Sequence, residues 1–404
     1  MSSTSKALAA ELTELYARVP RGMRLGLEAM NAAVTKLGHP ERTFPAVHIA
    51  GTNGKGSTAA MVEAMARAHG LSTGRYTSPH LARFAERIAL NGEPITDARL
   101  TEVLNEANTQ APDLSFFETA TLAAFLAFRL EKVDIAIIEV GIGGRLDATN
   151  ILPPPRVTAI TRIALDHVDR LGATEVEIAR EKAGIAKHGS PLVVGPITGP
   201  PLHAIERIAE SVGAPIRHAL PDPREVLTSL AGDHQRENAR VAIAMAKELA
   251  FSDLAIKTGL AQARWPGRLE TLDLPEGRVL LDGAHNLDGV RALVRHLRSA
   301  FSNVPCALVF GTLADKDGDA MLDDLAAHFS SRAYVAPKGR AAMDPARYAT
   351  RHLGIACNSI GDALSRARES VGKDGLVVVA GSIYLVGEAR SRLLELPVDP
   401  PVAL

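Results

Sequence analysis

Short apolar runs alternate with amphipathic stretches along most of this chain. Residues 5–19 and 22–37 space Leu, Met and Val as helices do, and Gly38-His39-Pro40 stops the second. Ala46-Val47-His48-Ile49-Ala50 reads as a strand; a glycine-rich turn and a helix from Ser57 follow it. A second strand is expected over Gly74–Ser78, ended by Pro79-His80, and Asn91-Gly92 marks a turn. Thr96 is the expected N-cap of a helix reaching Ala111, and Glu118–Leu130 is a largely apolar helix. Lys132–Val140 holds the strand core Ile135-Ala136-Ile137-Ile138 and then Glu139. Strand Arg156–Thr161, helix Glu175–Lys187, strand Leu192–Val194 and helix Pro201–Val212 continue the pattern.

Helices are expected over Asp233–Ala250 and Ser252–Ala263, after which Trp265-Pro266-Gly267 breaks the periodicity. Alternation then restarts. Strands fall at Arg278–Asp282, Cys306–Phe310, Ala333–Ala336 and Leu376–Ala380. Helices fall at Leu287–Ala300, Gly318–Phe329, Pro345–Leu353, Asp362–Val371 and Tyr384–Leu394. Such alternation implies parallel sheets covered on both faces. The expected class is α/β: a P-loop, parallel-sheet ATPase domain over residues 1–266, then a smaller Rossmann-like α/β domain over 267–404. Residues 214–232 are too irregular to assign, and the tail from Pro397 to Pro401 reads as disordered.

Composition narrows the function classes. A chain of 404 residues with 46% hydrophobic and 23% charged positions is an ordinary globular protein of about two domains. The net charge of −1 argues against a broad nucleic-acid footprint. Two cysteines, Cys306 and Cys357, make no disulfide framework, so a reducing cytoplasm is the expected compartment. The richest apolar stretch, Leu122–Phe128, is far shorter than the ~20 residues of a membrane-spanning helix.

The candidate chemistry sits at strand ends. Gly51-Thr52-Asn53-Gly54-Lys55-Gly56-Ser57 between strand and helix is a phosphate cradle. Glycines let the backbone curl around an anion, the helix start offers free N–H groups, Lys55 adds charge, and Ser57 can ligate magnesium. It departs from the common pattern in two places: Ile49 replaces the first glycine, and Gly56 separates the lysine from the hydroxyl. Ser78, Glu139 and Asp166-His167 follow three other strands, where α/β folds bind ligands. Glu139 and Ser78 suit magnesium, and His167 is a less usual third ligand. Each also has a plainer reading. Glu139 can meet water or Arg145 at a strand end, His167 can be an ordinary satisfied histidine, and Ser78 can cap a turn. Gly141-Ile142-Gly143-Gly144 marks close backbone approach to a ligand; Arg180-Glu181-Lys182 reads, from spacing alone, as an exposed charged face. Asp282-Gly283-Ala284-His285-Asn286 and Gly381-Ser382 are further strand-to-helix turns, the first with Asn286 as a helix cap. Arg268, just past Gly267, can reach back towards phosphate.

Taken in order, these stretches resemble one family. HIAGTNGKGST (48–58), YTSPHL (76–81), FFETATLAA (116–124), EVGIGGRLDATN (139–150), IALDHVDRLG (163–172), REKAGI (180–185), HQRENA (234–239), WPGRLE (265–270), DGAHN (282–286) and GSIYL (381–385) are similar to the motifs of folylpolyglutamate synthases. The likeness is to the bacterial bifunctional dihydrofolate synthase/folylpolyglutamate synthase type of the Mur ligase superfamily, and it spans about Leu25 to Leu394. The resemblance implies ATP as co-substrate on Asn53, Gly54, Lys55, Gly56, Ser57, Thr58, Asn238, Arg268, Asp282 and His285. It implies magnesium on Ser57, Ser78, Glu139, His167 and Lys182, the last as a carbamate, with Lys55, Lys182 and His167 in catalytic roles. A lysine is cationic at neutral pH, whereas its carbamate is an anionic oxygen ligand. It further implies a pterin pocket at Ser115, Phe117, Leu146, Asp147 and Ala148, and a glutamate contact at Ser382. The implied reaction activates a folate or dihydropteroate carboxylate as an acyl phosphate, which L-glutamate then attacks. A cytoplasmic monomer is expected, without nucleic-acid or membrane partners.

The segment from Ile216 to His234 is shorter than in many relatives, which bears on local architecture, and Ser115 stands where some carry threonine. A Mur peptidoglycan ligase would share the loop but carry an additional N-terminal domain, for which the 50 residues before Gly51 are too few. A monofunctional folylpolyglutamate synthase and a non-catalytic nucleotide-binding module are the remaining alternatives.

Overall fold

The structure, a computed structural model, describes residues 3–21, 26–219, 226–339 and 341–399. Two sheets organise it. The first contains β1 (Ala46–Ala50), β2 (Thr73–Tyr76), β3 (Ile88–Leu90), β4 (Glu93–Pro94), β5 (Ile135–Glu139), β6 (Val157–Ile160), β7 (Leu192–Val194) and β8 (Ile216–His218). Their order is β4-β3-β2-β5-β1-β6-β7-β8. The second contains β9 (Glu270–Leu274), β10 (Gly277–Leu281), β11 (Cys306–Phe310), β12 (Ser331–Tyr334), β13 (Ile355–Ala356) and β14 (Leu376–Ala380), in the order β13-β12-β11-β14-β10-β9.

The central strands are apolar throughout because both faces are covered. Every residue of β1, β5 and β6 is buried. Val47 and Ile49 pack with Met61, Val62 and Met65 of the helix Lys55–Ala68 and with Val241 and Met245 of the helix Asp233–Glu248. The opposite face lies under Phe125 and Phe128 of the helix Phe116–Glu131, with Phe44 edge-on to Phe128. In the second sheet the helix Leu287–Ala300 buries Val290, Leu293, Val294 and Leu297, a 3–4–7 spacing that makes one apolar stripe. Each such side chain contributes roughly 1.5–3 kcal/mol of hydrophobic stabilisation.

Two expectations need correction. The sheets are not wholly parallel: β3 runs antiparallel to β2, β4 to β3, and β9 to β10. β9 escaped notice because its residues alternate between half-buried and exposed, directly after the Trp265-Pro266-Gly267 break. The tail is not free as far as Asp399. That carboxylate accepts from the backbone N–H of Phe84 and pairs with Arg83 at 3.5 Å. Pro400 and Pro401, like residues 22–25 of the expected second helix, lie outside the described residues. The unassigned segment 214–232 contains only β8 as regular strand, with 220–225 also outside the described residues.

Register sets the site. Ile49 of β1 aligns with Glu139 of β5, and Ala50 with Ile160 of β6, so the turns leaving these strands emerge side by side.

Candidate active site

The phosphate loop leaves β1 and enters the helix Lys55–Ala68, with Gly54 at φ 88°. A side chain at Gly54 would be strained there and would collide with Asn238, whose Oδ1 would lie 2.1 Å from a Cβ. Gly56, the unusual glycine, has an equally local reason. A Cβ there would sit 2.6 Å from the Trp265 ring, which itself is held by the Arg75 guanidinium 4.9 Å above it. The extra glycine therefore leaves room for the Trp265 ring against the loop. Gly56→Ala is expected to lower ATP affinity about tenfold by displacing that ring. Trp265 is the single tryptophan, so ATP titration of its fluorescence reads the affinity directly; an unchanged affinity would refute the packing argument.

Lys55 Nζ lies 3.3 Å from the Thr52 carbonyl and 3.8 Å from Glu139 Oε1. Glu139, at the end of β5, also accepts from the Ser78 N–H at 3.2 Å. Burial pushes the Glu139 carboxyl up, and Lys55 and Ser78 oppose that. Ser57 Oγ accepts from Gln235 Nε2 at 3.1 Å, and Asn238 donates to Gln235 at 3.0 Å. His167 stands in the left-handed region at φ 50° before a short helix, which turns its ring into the same cleft. Lys182 is 4% exposed, so the exposed-face reading of its helix fails at this position. Its neighbour Glu181 pairs with Arg145 at 2.9 Å, which leaves Glu139 to Lys55. Burial and the nearby Lys55 charge bring the Lys182 amine down to about 7.

From the second sheet, Asp282 ends β10 and accepts from the N–H groups of Leu269 (2.9 Å) and Ala284 (3.0 Å). Arg268 donates to the Gly283 carbonyl at 3.1 Å. His285 donates from Nδ1 to the same carbonyl at 2.8 Å, and burial lowers its pKa to about 4. One cleft is thus lined by Asn53, Gly54, Lys55, Gly56, Ser57, Ser78, Glu139, His167, Lys182, Asn238, Arg268, Asp282 and His285. Thr58 is not among them; it is fully buried beneath the loop, its N–H bonded to Gly54.

Ser115, Phe117, Leu146, Asp147 and Ala148 line a second, smaller cavity. The two cavities share Ile142 and Leu171, so they meet at one wall. Ser115 caps the helix Phe116–Glu131 in a reciprocal pair with Glu118. Ser382 is 2% exposed and accepts from the Tyr384 N–H; the adjacent Ile383 reaches the first cleft.

Sequence reasoning missed Lys316, Asp288 and Arg162, which help to join the two sheets across this cleft. Lys316 Nζ lies 2.7 Å from Asp166 Oδ1, and Asn286 donates to Asp166 Oδ2 at 3.2 Å. Burial pushes Asp166 up, but His167 and Lys316 beside it hold the carboxyl well below the usual range. Asn53 donates to Asp288 at 2.8 Å, and Arg162 pairs with Asp288 at 3.0 Å. Lys316 and Asp288 carry no local signal: each meets its partner across more than 120 residues of chain.

Among the described residues no three His, Cys, Asp or Glu side chains converge as a ready metal cage. The buried Glu139 carboxylate beside Ser78 and Ser57 is an oxygen set that suits magnesium arriving with nucleotide phosphates.

Known proteins match this chain in both of its halves. The family model of the Mur ligase middle domain matches residues 49–195, and that of the Mur ligase glutamate ligase domain matches 267–383. A dihydrofolate synthase/folylpolyglutamate synthase of Bacillus subtilis is 35% identical, over 94% of this chain and 97% of its own. The Escherichia coli FolC structure in complex with DHPP and ADP superposes with a TM-score of 0.88 at 30% identity, covering 98% of this chain and 99% of that one. The bifunctional synthase of Yersinia pestis, solved with AMPPNP and Mn, gives 0.85 at 31% identity, covering 98% and 100%.

Proposed function

We propose a residue-level mechanism from one premise: this chain belongs to the dihydrofolate synthase/folylpolyglutamate synthase family of Mur ligases, ATP-dependent enzymes that ligate glutamate to folates. The observation that carries the reading is the single wall, Ile142 and Leu171, between the phosphate cleft and the cavity of Ser115, Phe117 and Asp147. A pterin in that cavity would present its carboxylate to the γ-phosphate held by the loop.

ATP phosphates lie on Gly54–Ser57, with Asn238, Arg268, Asp282 and His285 around the rest of the nucleotide. Lys55 leaves Glu139 for the transferring phosphoryl group, and Arg268 adds a second positive charge. The substrate carboxylate oxygen bonds to the γ-phosphorus as the bond to ADP breaks. The glutamate amine then attacks the acyl carbon, loses a proton, and inorganic phosphate leaves. Magnesium held by Ser57, Ser78, Glu139, His167 and carbamylated Lys182 would offset charge on the phosphates. A buried amine near 7 supports that modification, since only the neutral amine adds to carbon dioxide. The turn at Ser382 helps seat the glutamate.

The unit 1–266 carries ATP and pterin, and the unit 267–404 closes on it. Closure keeps water from the acyl phosphate. Lys316→Ala is expected to lower kcat/KM for glutamate about tenfold, because Asp166 loses its lysine partner across the cleft. ATP affinity, read from Trp265, stays unchanged; an unchanged glutamate kcat/KM would rule out the closure role. We assign the protein to the cytoplasm as a monomer, with ATP, glutamate and pterins as partners and neither nucleic acid nor membrane. No described helix is long and apolar enough to cross a membrane.

Both dihydropteroate and reduced folates are proposed as acceptors. ADP release from purified protein, assayed with each pterin and with or without glutamate, tests the function. Release should require both a pterin and glutamate. Turnover independent of glutamate would refute the ligase reading, and turnover with only one pterin would make the enzyme monofunctional.

A further inference from the structure

A buried histidine that the mechanism leaves idle ties the phosphate-loop strand to the pterin cavity. His48 is the central residue of β1, three residues before Gly51, and is fully buried. Its neighbours Val47 and Ile49 pack against the loop helix on one face of the sheet. His48 points to the other face, where Nε2 lies 2.7 Å from Thr149 Oγ1. Thr149, also fully buried, donates from both N–H and hydroxyl to Asp147 Oδ1. Asp147 Oδ2 accepts from the Ile142 N–H at 3.0 Å, which closes the glycine turn that follows Glu139.

The donors settle the proton positions. Burial pushes the Asp147 carboxyl up, and the Thr149 hydroxyl and the Ile142 and Thr149 N–H groups oppose that; as a carboxylate it accepts, so the Thr149 hydroxyl proton points to Asp147. Thr149 Oγ1 must then accept from His48, which places the imidazole proton on Nε2. Nδ1 is left buried without a hydrogen-bond partner. An unpaired buried nitrogen is costly, and a leucine would fill the same apolar strand face without it. The histidine is therefore kept for the one bond it makes. Burial, and then Lys187, lower its pKa to about 3, so the ring stays neutral and a single-proton donor.

We propose that His48 is a positioning residue for the pterin substrate. Through Thr149 and Asp147 it fixes Ile142, the wall shared by the two cavities, and so sets where the substrate carboxylate meets the phosphate loop. This rests on the pterin-cavity reading above, and touches neither nucleotide nor metal directly.

Steady-state kinetics of His48→Leu, Thr149→Val, the double variant and His48→Gln test it. KM for the pterin that the unmodified enzyme uses should rise roughly tenfold in each of the first two, the equivalent of one lost buried hydrogen bond. The double variant should be no worse than either, because both break one chain. His48→Gln, which keeps an N–H donor, should recover most of the loss. ATP affinity from Trp265 fluorescence should stay within about twofold of the unmodified value. An unchanged pterin KM, an equal loss of ATP affinity, additive losses in the double variant, or a fall in Tm with KM intact would each overturn the positioning role. Thr149→Val keeps side-chain shape, so it answers if His48→Leu fails to fold. If the unmodified enzyme turns over no pterin, the pterin-cavity reading itself has failed; the positioning role fails alone when that turnover is present and the variants do not alter its KM.

Discussion

Lys55→Ala is expected to lower kcat by about a thousandfold, the scale on which removing a preorganised charge from a transition state acts. The lysine opens the loop helix and is only 16% exposed, with its amine 3.8 Å from Glu139. It has two tasks. It offsets charge on the transferring phosphoryl group, and before that it opposes the burial that pushes the Glu139 carboxyl up. Removing it takes away the largest influence opposing burial, so the Glu139 carboxyl moves further up and serves less well as an oxygen ligand. Pterin KM should change little, since the second cavity lies beyond Ile142 and Leu171. Single-turnover ADP formation checks this; a loss below about tenfold would place the phosphate elsewhere.

Lys182→Met should cost about a hundredfold in activity, as loss of a supporting ligand does. Lys182 sits on the helix Glu175–Ala183, buried, with Lys55 as the larger charge influence after burial. A free amine there is only partly protonated near neutral pH, beside Lys55, and offers a metal no anionic oxygen. A carbamate reverses the sign: the amine nitrogen bonds to the carbon of carbon dioxide, a proton leaves to solvent, and an anionic oxygen pair results. The unmodified enzyme should therefore lose activity in carbon-dioxide-free buffer and regain it with bicarbonate, whereas Lys182→Met should respond to neither. Full activity of Lys182→Met at low magnesium would exclude the carbamate.

Much of this was legible in the chain. Strands with both faces buried, such as β1, β5 and β14, announce themselves as apolar runs. Helices with polar caps do so too, as Thr96, Asn286 and Ser382 show. Ser78, Glu139, His167 and Asp282 were legible because each ends or follows a strand, whereas Asn238 and Lys182 came from the family resemblance alone. Three features were not. β9 is an edge strand whose half-exposed alternation imitates a loop. The burial of Lys182 depends on packing by distant elements, which a helix-face reading cannot see. Lys316 and Asp288 act through ion pairs and hydrogen bonds across two sheets, where local spacing is silent. Gly56 lies between these cases: it broke the common phosphate-loop pattern, and its cause, the Trp265 ring, lies more than two hundred residues away.

The central claim is that the loop from Gly51 to Ser57 presents the γ-phosphoryl group to a substrate carboxylate in the neighbouring cavity. Turnover of a pterin substrate whose carboxylate carries heavy oxygen, followed by mass analysis of the inorganic phosphate, measures this directly. The account predicts one heavy oxygen in each phosphate released, because the carboxylate oxygen that attacked phosphorus leaves with it. Phosphate that carries no label while glutamate is ligated would contradict it.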